Sequence, residues 1–157
     1  MVRKEWKNLN GLWNYAVTSR EDGKPQNIDE GQILVPFAIE SALSGVQRKF
    51  TPEDRLWYET EFTVPESWKG KRIILYFGAV DYESEIWVND RPVGSHKGSS
   101  DAFRVDVTDA LKGRGPQKLV VAVTDPTDTG YQPLGKRSFS LPAYITPRFP
   151  VYGRRCG

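Results

Sequence analysis

Cysteine is nearly absent from this 157-residue chain. Cys156 is the only one, so no internal disulfide can form and the redox compartment cannot be read. Histidine is as scarce: His96 stands alone, and one histidine with one distant cysteine does not make a zinc site. No charge of one sign prevails. The 22 Lys and Arg residues nearly balance 20 Asp and Glu, the net charge is +2, and the basic residues are scattered along the chain, which argues against a polyanion or nucleic-acid partner. No apolar run approaches the length of a membrane span, and the first residues lack the apolar core of a signal peptide. There is no P-loop, no dinucleotide fingerprint and no serine in a nucleophile elbow, so no cofactor is expected.

What the chain does hold is strand. Hydrophobic residues make up 38% and aromatics 12%, with five Trp and seven Tyr, enough for one domain with a real core. From Leu56 to Val88 the pattern is clearest. Tyr58, Thr60, Phe62 and Val64 alternate with Trp57, Glu59, Glu61 and Thr63, the period of a half-buried strand. Pro65 to Gly70 breaks the run; Ile73, Leu75 and Phe77 begin a second strand, and Ser84, Ile86 and Val88 a third. Upstream, Met1–Asn10 reads as an arm, Gly11–Val17 as a strand, Ser19–Gly31 as a loop, Gln32–Val35 as a strand closed by Pro36, and 37–50 as irregular with room for one helical turn. Downstream, Asn89-Asp90 makes a tight hairpin, Ala102–Thr108 alternates, Thr108 caps a short turn, and Lys118–Thr124 is a strand. Eight or nine short strands without a long helix predict an all-β jelly-roll sandwich, with Leu75, Phe77, Ile86, Val105 and Val121 in one core.

Candidates for chemistry are few. His96 reads as structural rather than as part of a triad. Glu83 and Glu85 alternate with Ser84 and Ile86 and make a polar face. Glu40 follows Phe37-Ala38-Ile39 in a loop of small residues; it is either a loop acid satisfied by nearby amides or a carboxylate presented to a ligand. Trp13, Trp57, Trp68, Trp87 and Tyr131 could stack on sugar rings, although a Trp on a sandwich strand more often belongs to the core. Tyr131 lies in a Gly- and Pro-containing loop and is the best exposed of the five.

Five motifs in order carry a resemblance: NLNGLW at Asn8–Trp13, VPFAIESALSGV at Val35–Val46, WYETEFTVPESWKGKRIILYFGAVD at Trp57–Asp81, IWVND at Ile86–Asp90 and VTDPTDTG at Val123–Gly130. Together they resemble the N-terminal sugar-binding jelly-roll domain of glycoside hydrolase family 2, the β-galactosidase and β-glucuronidase family, in its Bacteroides-type form. The resemblance runs from Met1 to about Lys136. It implies a galactose-binding-like fold that packs, in whole enzymes, on an immunoglobulin-like domain and a (β/α)₈ barrel. The barrel carries two glutamates, which retaining hydrolysis needs ~5 Å apart. They would lie far beyond Gly157, so no catalytic residue is expected here. The family's first domain lends a loop to the sugar pocket, and by resemblance that loop holds Glu40 and Ser41. Two positions depart from the pattern: Lys97, Gly98, Ser99 and Ser100 follow His96 where Gly-Gly-Tyr is common, and Tyr82 replaces a common Trp.

The resemblance also makes residues 137–157 an atypical tail. Ser138–Gly157 lacks the family's last strand, but codons for Pro142–Gly157 can be chosen that, regrouped by one frame, translate as GIYYTPVSGIWQTVW, the missing motif. A frameshifted tail should be irregular, with Pro142, Pro147 and Pro150 withholding N–H groups, and should leave an open sheet edge available for self-association. Genomic DNA unable to encode that peptide in the neighbouring frame would refute the shift. Met1 is expected to be an internal methionine, and the full-length relative periplasmic or secreted. Three functions are then in play. The chain is a carbohydrate-binding-like part of a glycosidase acting on β-galactosides or β-glucuronides and inactive alone, a free-standing lectin-like module using Tyr131 and the Glu40 loop, or a purely structural support domain.

Overall fold

A computed structural model describes residues 6–37, 39–78, 80, 83–98, 102–124 and 143–148. It holds ten strands and three single turns of 3-10 helix, all strand pairs antiparallel. The strands are β1 (Lys7–Asn8), β2 (Gly11–Ser19), β3 (Gly31–Val35), β4 (Asp54–Phe62), β5 (Arg72–Phe77), β6 (Glu83–Val88), β7 (Arg91–Lys97), β8 (Phe103–Asp106), β9 (Gln117–Thr124) and β10 (Ala143–Arg148). Six form one sheet in the order β3-β2-β4-β9-β6-β7, and four form the other, β1-β10-β5-β8.

The alternation in the sequence decides which face each strand buries. Trp13, Tyr58, Phe62, Leu119, Val121, Val123, Ile86 and Val88 point inward from the larger sheet and meet Ile73, Leu75, Phe77 and Val105 of the smaller one. All five residues expected in one core are there. The outer face of the larger sheet is also partly dry. Ala16, Ile28, Trp57, Val120 and Ala122 form a second buried cluster, with Trp87 against it. Ile28 comes from the β2–β3 connection, so that loop folds back over the sheet. Strand β9 is therefore apolar on both sides, as its LVVAV run requires.

Two of the ten strands lie outside the sequence-based count, and they pair with each other. Lys7–Asn8 belongs to the stretch expected to be an arm. Instead it lies against β10, Lys7 opposite Ile145 and Asn8 opposite Tyr144. The tail, expected to be irregular, supplies β10 over Ala143–Arg148, and β10 fills the place between β1 and β5. Tyr144, Ile145 and Thr146 favour extended backbone, and the ladder bonds through main-chain groups that any non-proline residue supplies. Pro147 stands opposite Ile73, and no β1 residue among the described residues pairs with it.

The β6–β7 hairpin turns at Asn89 (φ 50°) and Asp90 (φ 66°), two residues that accept left-handed backbone. Asn89 Nδ2 donates to the Ala110 carbonyl (2.9 Å) and to Gln117 Oε1 (2.7 Å), tying the turn to the start of β9. Asp90 accepts from Lys118 (2.8 Å) and Lys24 (2.6 Å). Hydrogen bonds from Lys118 and then Lys24 outweigh desolvation and hold its carboxyl down at about 2, against 3.8 normally. A depressed folded-state pKa stabilises fully above the unfolded value and is lost as pH falls through the folded one. Thermal melts of the parent should thus weaken between pH 3.8 and about 2, and Asp90→Asn should flatten that part of the profile. An unchanged profile in the variant would show that the hairpin carboxylate contributes nothing.

The turn at Thr108–Ala110 is capped differently from expectation. Thr108 does not cap it; its backbone N–H and hydroxyl both donate to Asp106 Oδ1, at 3.0 and 2.6 Å. The Thr108 hydroxyl also accepts from Ile73 N–H (2.9 Å), joining β8 to β5.

Candidate functional site

The segment from Phe37 to Phe50 leaves the end of β3 and returns to the start of β4. Ile39 and Phe50 are buried in the main core, and they pull the loop inward at both ends. Between them the chain winds around Ser44. This side chain is 1% exposed; its hydroxyl donates to Ser41 O (2.7 Å) and contacts Ile39 O (3.3 Å), and it accepts from Val46 N–H (3.1 Å). The turn Ala42–Ser44 starts at Ser41, whose Oγ accepts from Leu43 N–H (3.2 Å), and stops at Gly45, whose φ of 81° suits glycine. Arg48 N–H donates to Ile39 O at 3.0 Å, closing the loop at its base. The Arg48 guanidinium pairs with Glu30, whose other oxygen accepts from Val17 N–H (2.8 Å). The loop is thereby fastened to the β2–β3 connection.

On this frame Glu40 is half-buried and beside the buried Tyr58. Burial, and secondarily the Glu40 charge, push the Tyr58 hydroxyl far above its ordinary value, so it stays neutral and protonated. Leu43, at the tip of the turn, is 64% exposed. Glu40 and Ser41 are thus neighbours on one well-built loop, with the Ser41 hydroxyl already engaged as a cap. Tyr131 lies outside the described residues, as does the 125–136 loop that carries it. The four tryptophans named as stacking candidates divide. Trp13, Trp57 and Trp68 are buried, and Trp87 is half-buried. Trp13 Nε1 donates to Leu9 O (2.8 Å) and meets Tyr58 edge-on at 6.3 Å. Trp57 Nε1 donates to Thr18 Oγ1 (2.9 Å), and its ring lies 5.5 Å from that of Trp87. These are packing roles.

The lone histidine also packs. The His96 ring is stacked on Phe103 at 4.1 Å and 10°, and Phe103 on Phe77 at 4.9 Å and 24°. Its Nε2 is buried without a hydrogen-bond partner among the described residues. Glu83 and Glu85 point outward and pair with Lys97 and Arg55, both at 3.2 Å. Among the described residues no group of three His, Cys, Asp or Glu side chains could hold a metal.

The sequence places this architecture. Residues 35–133 match the family model for glycosyl hydrolases family 2, sugar binding domain. The chain belongs to that family. A β-glucuronidase of Paenibacillus borealis is 29% identical over 126 residues, covering 76% of this chain and 21% of that protein. A β-galactosidase of Thermoanaerobacter pseudethanolicus is 28% identical over 121 residues, or 75% of this chain and 16% of its own. The solved structure of a β-glucuronidase from an uncultured Clostridium species superposes with a TM-score of 0.70 at 20% identity, over 96% of this chain and 30% of that one. This family 2 domain thus spans about a fifth of the curated relatives' length, and it matches their N-terminal part.

Proposed function

We propose that the chain is the non-catalytic, sugar-binding-like module of an enzyme acting on β-glycosides, and that Glu40 and Ser41, with Tyr131, belong to loops lent to the sugar pocket. The match of 35–133 to a sugar binding domain carries the reading, since it contains the whole 37–50 loop. The build of the loop supports it. A segment wound around a buried Ser44 and tied down through Glu30 holds its carboxylate in place, which a site shared between domains demands. Hydrolysis with retention needs a carboxylate pair flanking the bond, and the family places that pair in its barrel.

Pure protein incubated with nitrophenyl β-galactoside or nitrophenyl β-glucuronide should therefore release no nitrophenol above the buffer rate. Turnover well above that background, abolished by Glu40→Gln, would give this chain a catalytic site of its own and end the module reading.

A further inference from the structure

The turn after β4 and the segment before β9 face one another across a cleft of about 540 Å3. Its floor is apolar: Trp68 is 5% exposed and Ile73 2%, with Leu111 beside them. Its walls are basic. Lys69, Lys71 and Arg72 line one side, Lys112 and Arg114 the other, and Glu66 is the only carboxylate among the lining residues. Along the chain these cations fall in two short runs, Lys69 to Arg72 and Lys112 to Arg114; the fold brings the two runs to one cleft.

Their charges are not all spent. Arg72 Nε donates to Asp106 at 2.6 Å. Burial alone would raise the Asp106 carboxyl, but the bonds from Thr108 and Arg72 outweigh it and hold it below its usual value, so Arg72 is committed. Lys69, Lys112 and Arg114 form no ion pair with the described residues. Nor are the walls loose. Gln117 is 2% exposed; its Oε1 accepts from Lys112 N–H (2.8 Å), and its Nε2 donates to Lys112 O (3.1 Å) and Gly115 O (3.2 Å). Opposite, Trp68 N–H donates to Pro65 O (2.9 Å), Lys69 N–H to Glu66 O (3.1 Å) and Lys71 N–H to Trp68 O (3.0 Å). Cations that line one cleft favour an anion between them, and a main chain fixed by these bonds can receive it without reordering.

We propose that this cleft binds an anionic oligosaccharide. Lys69, Lys112 and Arg114 take its carboxylate or sulfate groups, and the apolar face of a sugar ring lies over the Trp68–Leu111 floor. The volume falls within the ~300–1,000 Å3 of small-molecule sites. A nucleic-acid duplex would instead call for a long basic stripe, and a phosphate backbone would leave the apolar floor unused. The choice of a sugar as carrier of the charge rests on the carbohydrate reading above.

Isothermal titration of the full chain, at about 50 and about 300 mM salt, tests the assignment with three probes: a uronate tetrasaccharide, a sulfated tetrasaccharide and neutral cellotetraose. At least one acidic sugar should bind about tenfold more tightly than the neutral one and weaken with salt. The combined variant Lys69→Gln, Lys112→Gln, Arg114→Gln should lose about tenfold in affinity with an unchanged melt. Should that variant melt early, Arg114→Gln alone, at an exposed position, is expected to lose several-fold. Equal affinity for acidic and neutral sugars, undiminished binding by folded variants, or equally tight binding of inorganic sulfate or a short DNA duplex would each overturn the proposal. The outcome is separable from the turnover assay: turnover would end the module reading with the cleft intact, and failure of acidic sugars to bind would remove the cleft with the module reading intact.

Discussion

Phe77→Ala is expected to destabilise the domain by about 3–5 kcal/mol, the range for emptying a buried aromatic site. Phe77 is 1% exposed and sits near the end of β5, between the two sheets. Its ring is one layer of a stack that continues through Phe103 to His96. The hole would therefore lie beneath Phe103, whose own position depends on both neighbours, and collapse would be resisted by β10 and β8 on either side of β5. Urea melts should show a lower midpoint at unchanged slope. A loss below about 1 kcal/mol would mean that the stack is dispensable.

Trp57→Ala should cost a similar ~3–5 kcal/mol, through a separate cluster. Trp57 is fully buried on the outer face of the larger sheet, with Ala16, Ile28, Val120 and Ala122 around it. Its loss would strip Thr18 Oγ1 of a donor and Trp87 of a ring partner, and would uncover Arg55, whose guanidinium lies 5.3 Å from the ring centre. Arg55 Nε is buried without a hydrogen-bond partner among the described residues, and its access to water in the variant would offset only a small part of the lost packing. Trp57→Phe keeps most of the apolar area and should recover more than half of the loss in the same melts. If the Ala and Phe variants melt alike, apolar contact is not what Trp57 supplies. The two residues belong to separate buried clusters, so their costs should add in the double variant.

Most of the sandwich was legible because its strands alternate. Every element from Gly11 to Thr124 with a clear period of two is a strand, and the residues assigned to the inner face are in the core. The strands that escaped notice lack that signal. Two residues, Lys7 and Asn8, are too few to show a period, and the proline-containing 143–148 segment is held by main-chain pairing rather than by pattern. The dryness of the outer face could have been found. Leu119 to Val123 is an unbroken apolar run, which a strand with one wet face would not have. The 37–50 segment was legible as a loop with room for one helical turn, which Ala42–Ser44 supplies. Gln117 was not: its partners Asn89 and Lys112 come from different loops, and a buried amide reads like any other polar residue before a strand. The basic cleft was hidden for the same reason, since its two short runs of cations, at 69–72 and 112–114, lie far apart in the chain and only the fold brings them together.

The pairing of β1 with β10 also bears on when the domain can become complete. The smaller sheet holds β10, the last strand among the described residues, in its interior, between β1 and β5. During synthesis β5 can zip onto β8 as soon as β8 emerges, but the edge that β10 covers stays bare until residues 143–148 have left the ribosome. Closing that gap joins partners separated by nearly the full sequence, which slows folding and exposes main-chain donors and acceptors meanwhile. Loss of the segment around Tyr144 would make the waiting state permanent, with β5 as its unpaired flank.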